Sequence, residues 1–208
     1  MSRSDKQMIY LASKSPRRQE LLNQIGIQFT VLDVPAQDTA NADMVDETVL
    51  ANENAADYVN RLSRNKADCA WAFLLSRTIA RYPVLTADTT VVLDNLILGK
   101  PQNTAEAYEM MKRLSGKTHQ VLTSVAIRSN DFFSQVLQTS SVTFAELSSD
   151  EIEAYIHTNE PYDKAGGYGI QGLAGKFIKY IEGSYSGIMG LPLYETSELL
   201  RKTDIDVL

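Results

Sequence analysis

The stretch Leu11–Leu22, LASKSPRRQELL, sets two serines, a proline and two arginines where a short apolar run gives way to a helical pattern. That combination suits an anion. A helix N-terminus offers free backbone N–H groups and partial positive charge. The hydroxyls of Ser13 and Ser15 can donate hydrogen bonds, and Arg17 and Arg18 can form bidentate charge-assisted pairs with phosphate oxygens. A plainer reading stands beside this one: Ser15 caps the helix, Pro16 takes its first position and the arginines face water. A second group adds a carboxylate. In TADTT, Asp88 falls at the end of a buried strand, where α/β proteins collect functional groups; Lys66 interrupts the apolar stripe of a long helix, and Lys100 sits in LGKP. Cationic groups around one strand-end carboxylate match polyphosphate cleavage, which needs charge neutralisation and an activated water. Taken singly, Asp88 also reads as a turn residue and Lys66 as a snorkelling side chain.

These residues need a scaffold of alternating strands and helices. MIYLA reads as a buried strand, Pro16–Ile25 as a short helix closed by Gly26, and QFTVLDV as a second strand. Residues 37–54 are polar and acidic, a loop and first helical turn leading into a helix of about twenty residues that runs to Leu74. Val59, Leu62, Lys66 and Cys69 share one face of it. The segment PVLTADTTVVLDNLILGKP reads as a strand, a kink at Ala87–Thr89 and a hairpin turning at Asp94-Asn95. Asn103 with Glu106, and Ser148 with Glu151, look like capping boxes. THQVLTSVAIR and VLQTSSVTFAEL read as paired long strands. A Gly-rich segment, a strand at KFIKYIEG and a Pro192-initiated helix complete a mixed α/β chain.

Composition narrows the function. The 208 residues suffice for one domain, or for two lobes around a shared sheet, and 44% hydrophobic with 22% charged residues is ordinary globular usage. A formal net charge of −6 argues against nucleic acid as a partner, since duplex binding takes a basic stripe. The single cysteine, Cys69, cannot form an internal disulfide, and with two distant histidines it cannot build a structural zinc site. No apolar run is long enough for a signal-peptide core or a membrane span. The expectation is a soluble, cytoplasmic protein with no membrane partner.

Two fingerprints fail on context. GYGIQG (167–172) fits the dinucleotide pattern G-x-G-x-x-G, but PYDKAG precedes it and a strand follows, where the motif needs a strand before and a helix after. GLAGKF has the wrong glycine spacing for a P-loop, and Phe177 stands where Mg²⁺ needs a hydroxyl. His119 and His157 lie beside no nucleophile motif and read as surface or hydrogen-bonding histidines; Cys69 reads as core packing.

Taken together, LASKSPRRQELL, ADTTVVL, LGKP, LSGKTHQVLT, EPYDKAGGYGIQG and GSYSGIMGLPLYET resemble the Maf family of nucleoside triphosphate pyrophosphatases, in the family's order from Ile9 to about Leu200. The resemblance implies an inosine-triphosphatase-like α/β fold: an elongated mixed sheet, flanking helices and a deep cleft between two lobes, all within one 1–208 domain. It implies cleavage of a nucleoside triphosphate between the α and β phosphates with a divalent metal (Mg, Mn or Co), and a homodimer. Asp88 matches the family's proposed proton acceptor, and Ser13, Arg18, Lys66 and Lys100 match its phosphate-handling residues, to which the hydroxyl of Ser15 at the helix entry is added. Asp163 and Lys164 occupy family-typical positions. The metal would fall to Asp88 and to Asp38, because VPAQD stands where the family often carries a cluster such as DIDE.

The resemblance also implies a substrate, through three positions at which the family divides. The branch acting on dTTP and UTP carries arginine, threonine and glutamine where this chain has Arg17, Thr89 and Gln171. The branch acting on 7-methyl-GTP has tryptophan, glutamine and glutamate, which suit a cationic purine. Gln171 can donate and accept at once, matching the carbonyl and imide edge of thymine or uracil. The expected activity is therefore dTTP and UTP pyrophosphatase, with 7-methyl-GTP hydrolysis and a nucleotide-binding regulator of septum formation as the alternatives.

Overall fold

The computed structural model describes residues 8–36, 44–205 and 207. The chain begins with strand β1 (Met8–Leu11), helix α1 (Pro16–Gln24) and strand β2 (Gln28–Val31), and continues with the long helix α2 (Ala55–Leu75). Strands β3 (Val84–Leu93) and β4 (Leu96–Leu98) precede helix α3 (Thr104–Leu114), then come β5 (Thr118–Ser129), β6 (Phe132–Phe144) and helix α4 (Ser149–Ile156). Short 3₁₀ turns at Pro161–Asp163, Ala165–Gly167 and Leu173–Phe177 lead to β7 (Ile178–Glu182), α5 (Tyr185–Met189) and α6 (Leu193–Arg201). The strands form one mixed sheet in the order β2-β1-β3-β5-β6-β7, with β4 paired to β3. β1 is parallel to both β2 and β3, whereas β4 and β7 run antiparallel to their neighbours. The mixed α/β architecture is the one expected.

The chain divides into two compact units: 1–88 with 123–138 and 190–208, and 89–122 with 139–189. In the first, Tyr10, Ala12, Leu32, Val34 and Val84 pack with Ala70, Trp71 and Leu74 of α2. The apolar stripe of α2 is what fastens it there. Val59, Leu62 and Leu74 have no exposed surface, and burying each is worth about 2 kcal/mol. In the second unit, Phe144 and Phe177 anchor a core with Met111, Leu114, Val142, Tyr155 and Tyr168. Truncating Phe144 to alanine would cost about 3–5 kcal/mol through the cavity left behind.

Most of the local signals act as read. Ser148 and Glu151 form a reciprocal capping box. Asp94 and Asn95 both take positive φ, 51° and 64°, as a two-residue hairpin turn demands. Asn103 caps α3 by accepting from the Glu106 N–H, but the Glu106 carboxylate binds the Gln102 N–H and the Asn103 side chain, so the box is not reciprocal. Two expectations need correction. β3 runs unbroken through Ala87–Thr89, because every one of its residues except Thr89 is buried and the pleat continues with both faces covered. The β2 ladder stops at Val31, short of the predicted QFTVLDV, since β2 is a largely exposed edge strand.

Candidate functional site

β1 ends at Leu11, whose register partner on β3 is Leu85, and the Ala12 N–H still bonds the Leu85 carbonyl at 3.0 Å. Beyond that point β1 gives way to the Ser13–Ser15 loop while β3 runs on through Asp88 to Leu93, so Asp88 lies inside its strand and not at the expected strand end. The loop is held by Ser13 Oγ, which accepts from the Ser15 N–H at 3.3 Å and from Arg18 Nη1 at 3.1 Å. Arg18 Nε donates to the Gly190 carbonyl at 2.9 Å. Ser15 occupies the N-cap position with Pro16 following, yet its side chain makes no cap bond. Burial lowers the Arg18 pKa, opposed by the charge of Asp88. Desolvation of that kind is tolerated by a guanidinium, which stays charged.

The carboxylate and the lysine meet directly. Lys66 Nζ lies 2.5 Å from Asp88 Oδ1 and 2.6 Å from Glu47 Oε1, with all three side chains largely withdrawn from solvent. Burial pulls the Lys66 pKa down most strongly, but the combined pull of Asp88 and Glu47 outweighs it and the net shift is upward. The ammonium therefore stays charged and bridges both carboxylates.

Sequence reasoning missed Glu47. Its place is built by the start of α2, the helix that also carries Lys66. Asn54 caps that helix, accepting from the Asp57 N–H at 2.9 Å. Arg61 grips the Glu53 carboxylate through Nε and Nη2 at 2.6 and 2.8 Å, and Nη2 also donates to the Thr48 carbonyl at 2.9 Å. The Tyr58 hydroxyl donates to the Glu47 carbonyl at 3.0 Å. Burial, then the charges of Asp88 and Glu47, push the Tyr58 pKa up to about 12, so it remains a donor. The signal was the acidic pair Asp46-Glu47 ahead of a capped helix. Asp38, the expected partner of Asp88, lies outside the described residues; among the described residues, Glu47 is a carboxylate that joins Asp88 on Lys66.

Thr89, Lys100 and Gln171 belong to the second unit. Thr89 is half-buried on β3, directly after Asp88, while Lys100 and Gln171 are exposed. The Gly166 N–H bonds the Gly99 carbonyl at 3.0 Å, so the LGKP segment is tied to the Gly-rich loop. The G-x-G-x-x-G glycines here make room for side chains. A Cβ at Gly169 would stand 3.0 Å from Lys164 Cε, and one at Gly172 would stand 2.5 Å from Glu160 Cδ. No strand precedes the loop and a 3₁₀ turn follows it, so the dinucleotide reading fails as expected. His119 is buried, with Nε2 2.6 Å from the Tyr168 hydroxyl, whereas His157 is exposed beside Glu153. Cys69 is half-buried against the core of the first unit.

Asp88 and Glu47 supply the carboxylate oxygens that a hard divalent cation takes as ligands. Both carboxylates meet at the Lys66 ammonium, and Mg²⁺ is usually held by one or two carboxylates plus substrate phosphates. Among the described residues no group of three or more His, Cys, Asp or Glu side chains is placed to hold a metal.

The family model of the Maf-like proteins matches residues 8–203. The chain belongs to the Maf family. Among curated relatives, this Maf chain is 51% identical over 199 residues to the dTTP/UTP pyrophosphatase of Nitrosomonas europaea, covering 96% of each chain. It is 48% identical over 200 residues to the nucleoside triphosphate pyrophosphatase of Haemophilus ducreyi, covering 96% of this chain and 97% of that one. Among solved structures, the Staphylococcus aureus Ham1 protein aligns with a TM-score of 0.52 at 13% identity, over 94% of the Maf chain and 98% of its own. That likeness is one of fold. Among the described residues, no helix is long and apolar enough to cross a membrane.

Proposed function

We propose that the chain is a nucleoside triphosphate pyrophosphatase that converts dTTP and UTP to the monophosphate and pyrophosphate. The observation that carries this reading is the bridge of Lys66 between Asp88 and Glu47, in a chain about half identical to curated dTTP/UTP pyrophosphatases along nearly its whole length. A module that only bound nucleotides would need the cations without the carboxylates.

The residues divide the work by charge. Ser13, Ser15 and Arg18 bind phosphate oxygens with hydroxyl and guanidinium donors at the start of α1, and Lys100 adds a further phosphate contact. The ammonium of Lys66 is shared. When phosphate oxygens compete for it, Asp88 is released to accept a proton from the water that attacks the α-phosphorus. Pyrophosphate then leaves, its charge borne by Arg18 and Lys66. A divalent cation held by Asp88 and Glu47 would supply the remaining neutralisation. Arg17, Thr89 and Gln171 select the pyrimidine, Gln171 through its paired donor and acceptor.

The reaction belongs in the cytoplasm, where nucleotide pools are kept, and family resemblance supports a homodimer without nucleic-acid or membrane partners. The test is a panel of canonical and modified triphosphates with Mg²⁺, Mn²⁺ or Co²⁺, scored by product. The expected products from dTTP and UTP are monophosphate and pyrophosphate. Release of orthophosphate and a diphosphate would overturn the cleavage position, and preferred turnover of 7-methyl-GTP would move the chain to the other branch.

A further inference from the structure

Gln171 lies at the third position of a tight turn, in which the Gly172 N–H bonds the Gly169 carbonyl at 3.1 Å. Its side chain is exposed, and two of the three residues around it in the turn are glycines. A turn of that composition has little stiffness of its own. Something outside it must fix where the amide stands.

The anchors lie on either side. Before the turn, the Tyr155 hydroxyl shares its proton between the Gly167 carbonyl and Glu160 Oε1, each at 3.1 Å. After it, Glu160 Oε2 accepts from the Leu173 N–H at 2.6 Å and Oε1 from the Ala174 N–H at 3.1 Å. Those two N–H groups open the Leu173–Phe177 3₁₀ turn, whose first donors have no partner within it. Lys164 Nζ holds the Glu160 main chain through its carbonyl at 2.7 Å and pairs with Asp163. Gly172 has an ordinary φ of −105°, open to any residue, so its need for glycine is spatial. A Cβ there would lie 2.5 Å from Cδ and 2.6 Å from Oε1 of Glu160.

We infer that Glu160 is a positioning residue for substrate selection: its carboxylate clasps the Leu173 and Ala174 amides, and Gly172 leaves the space that carboxylate occupies. This rests on the reading of Gln171 as the residue that selects the pyrimidine. Both bonds run from a neutral backbone N–H to a carboxylate oxygen, and a charged acceptor holds two backbone donors more strongly than an amide would. A mobile turn would present Gln171 in many orientations, so loosening the clasp weakens substrate binding more than the chemical step.

The test is a double-mutant cycle on the full-length protein, using Glu160→Ala, Gly172→Ala and their combination, with Glu160→Gln as the conservative variant. Hydrogen exchange at residues 169–174 reports the loop, and amides of β5 report global folding in the same samples. Glu160→Gln is expected to speed exchange at Leu173 and Ala174 at least tenfold, raise the dTTP KM about tenfold and leave kcat within threefold. Gly172→Ala should reproduce those changes alone, yet add less than twofold to Glu160→Ala, because the carboxylate it displaces is already gone. A silent Gly172→Ala, or one whose effect multiplies with that of Glu160→Ala, overturns the clasp. So does a Glu160→Gln enzyme with kcat reduced a hundredfold, unchanged KM and a protected loop, which would make Glu160 a proton acceptor. Gln171→Glu in the otherwise native chain separates the two readings. If it leaves dTTP kcat/KM unchanged while the cycle behaves as expected, the clasp stands and the role of Gln171 falls.

Discussion

Lys66 Nζ stands 2.5 Å from Asp88 Oδ1, joining residues 22 positions apart that come from a helix and a strand. A buried ion pair of this kind adds little net stability, since desolvating both partners offsets most of their attraction. Removing one partner is another matter, because it strands the other charge. In the proposed mechanism a phosphate oxygen takes the place of the carboxylate on Lys66, so the ammonium is not stranded when Asp88 is released. Glu47 meets the same ammonium and adds its own upward pull to the Lys66 pKa.

Asp88→Asn should lower kcat for dTTP by about 10²-fold or more, the scale of losing a general base, with a much smaller change in KM. Lys66→Ala should raise KM and lower kcat together, because an ammonium on phosphate serves ground and transition states alike. Steady-state pyrophosphate release measures both. An Asp88→Asn enzyme with near-native kcat would place the base elsewhere.

Chelation should abolish turnover, and Mg²⁺, Mn²⁺ or Co²⁺ should restore it. Glu47→Gln should raise the metal concentration for half-maximal rate about tenfold, since an amide is a weaker ligand for a hard cation than a carboxylate. A metal titration of rate at saturating dTTP decides this. An unshifted midpoint would remove Glu47 from the metal.

The triple variant Arg17→Trp, Thr89→Gln, Gln171→Glu should lose dTTP hydrolysis and gain measurable 7-methyl-GTP hydrolysis while staying folded. Gln171→Glu alone removes the amide donor, and losing one substrate hydrogen bond costs about 1–3 kcal/mol, or one to two decades in kcat/KM. Unchanged preference for dTTP and UTP in the triple variant would show that selection lies outside these three side chains.

Acid should weaken the second unit through His119. Burial lowers its pKa from 6.5 to about 4, and its Nδ1 has no hydrogen-bond partner among the described residues. Between those two values the unfolded chain binds a proton that the folded one does not, so stability falls as pH drops from 6.5 towards 4. The loss amounts to about 3 kcal/mol over that window. Melting of the native protein and His119→Gln from pH 7 to 4 checks it. The variant starts less stable, through its altered contact with Tyr168, but declines less steeply; parallel curves would clear His119 of the effect.

Local chemistry made much of the scaffold legible. Pro16 after Ser15, the Asp94-Asn95 turn, the Ser148–Glu151 box and the long apolar stripe of α2 each specify their element through neighbours within a few residues. The same holds for the dinucleotide motif, which failed on its flanks. The kink expected at Ala87–Thr89 had no such local cause and is absent, because burial on both faces of β3 decided the strand.

By itself the sequence determined the mixed α/β class and singled out Leu11–Leu22 and Asp88 as the candidates for phosphate chemistry, since these follow from residue type and short-range order. Tertiary structure alone decided that Glu47 joins Asp88 on Lys66. Glu47 reaches Lys66 across 19 positions because Arg61 and Tyr58 tie its segment to the start of α2. It also decided that Gly172 lies against the carboxylate of Glu160, 12 residues earlier in the sequence. Proximity between distant residues is set by packing and hydrogen-bond closure over the whole unit, and no local pattern of residue types encodes that sum.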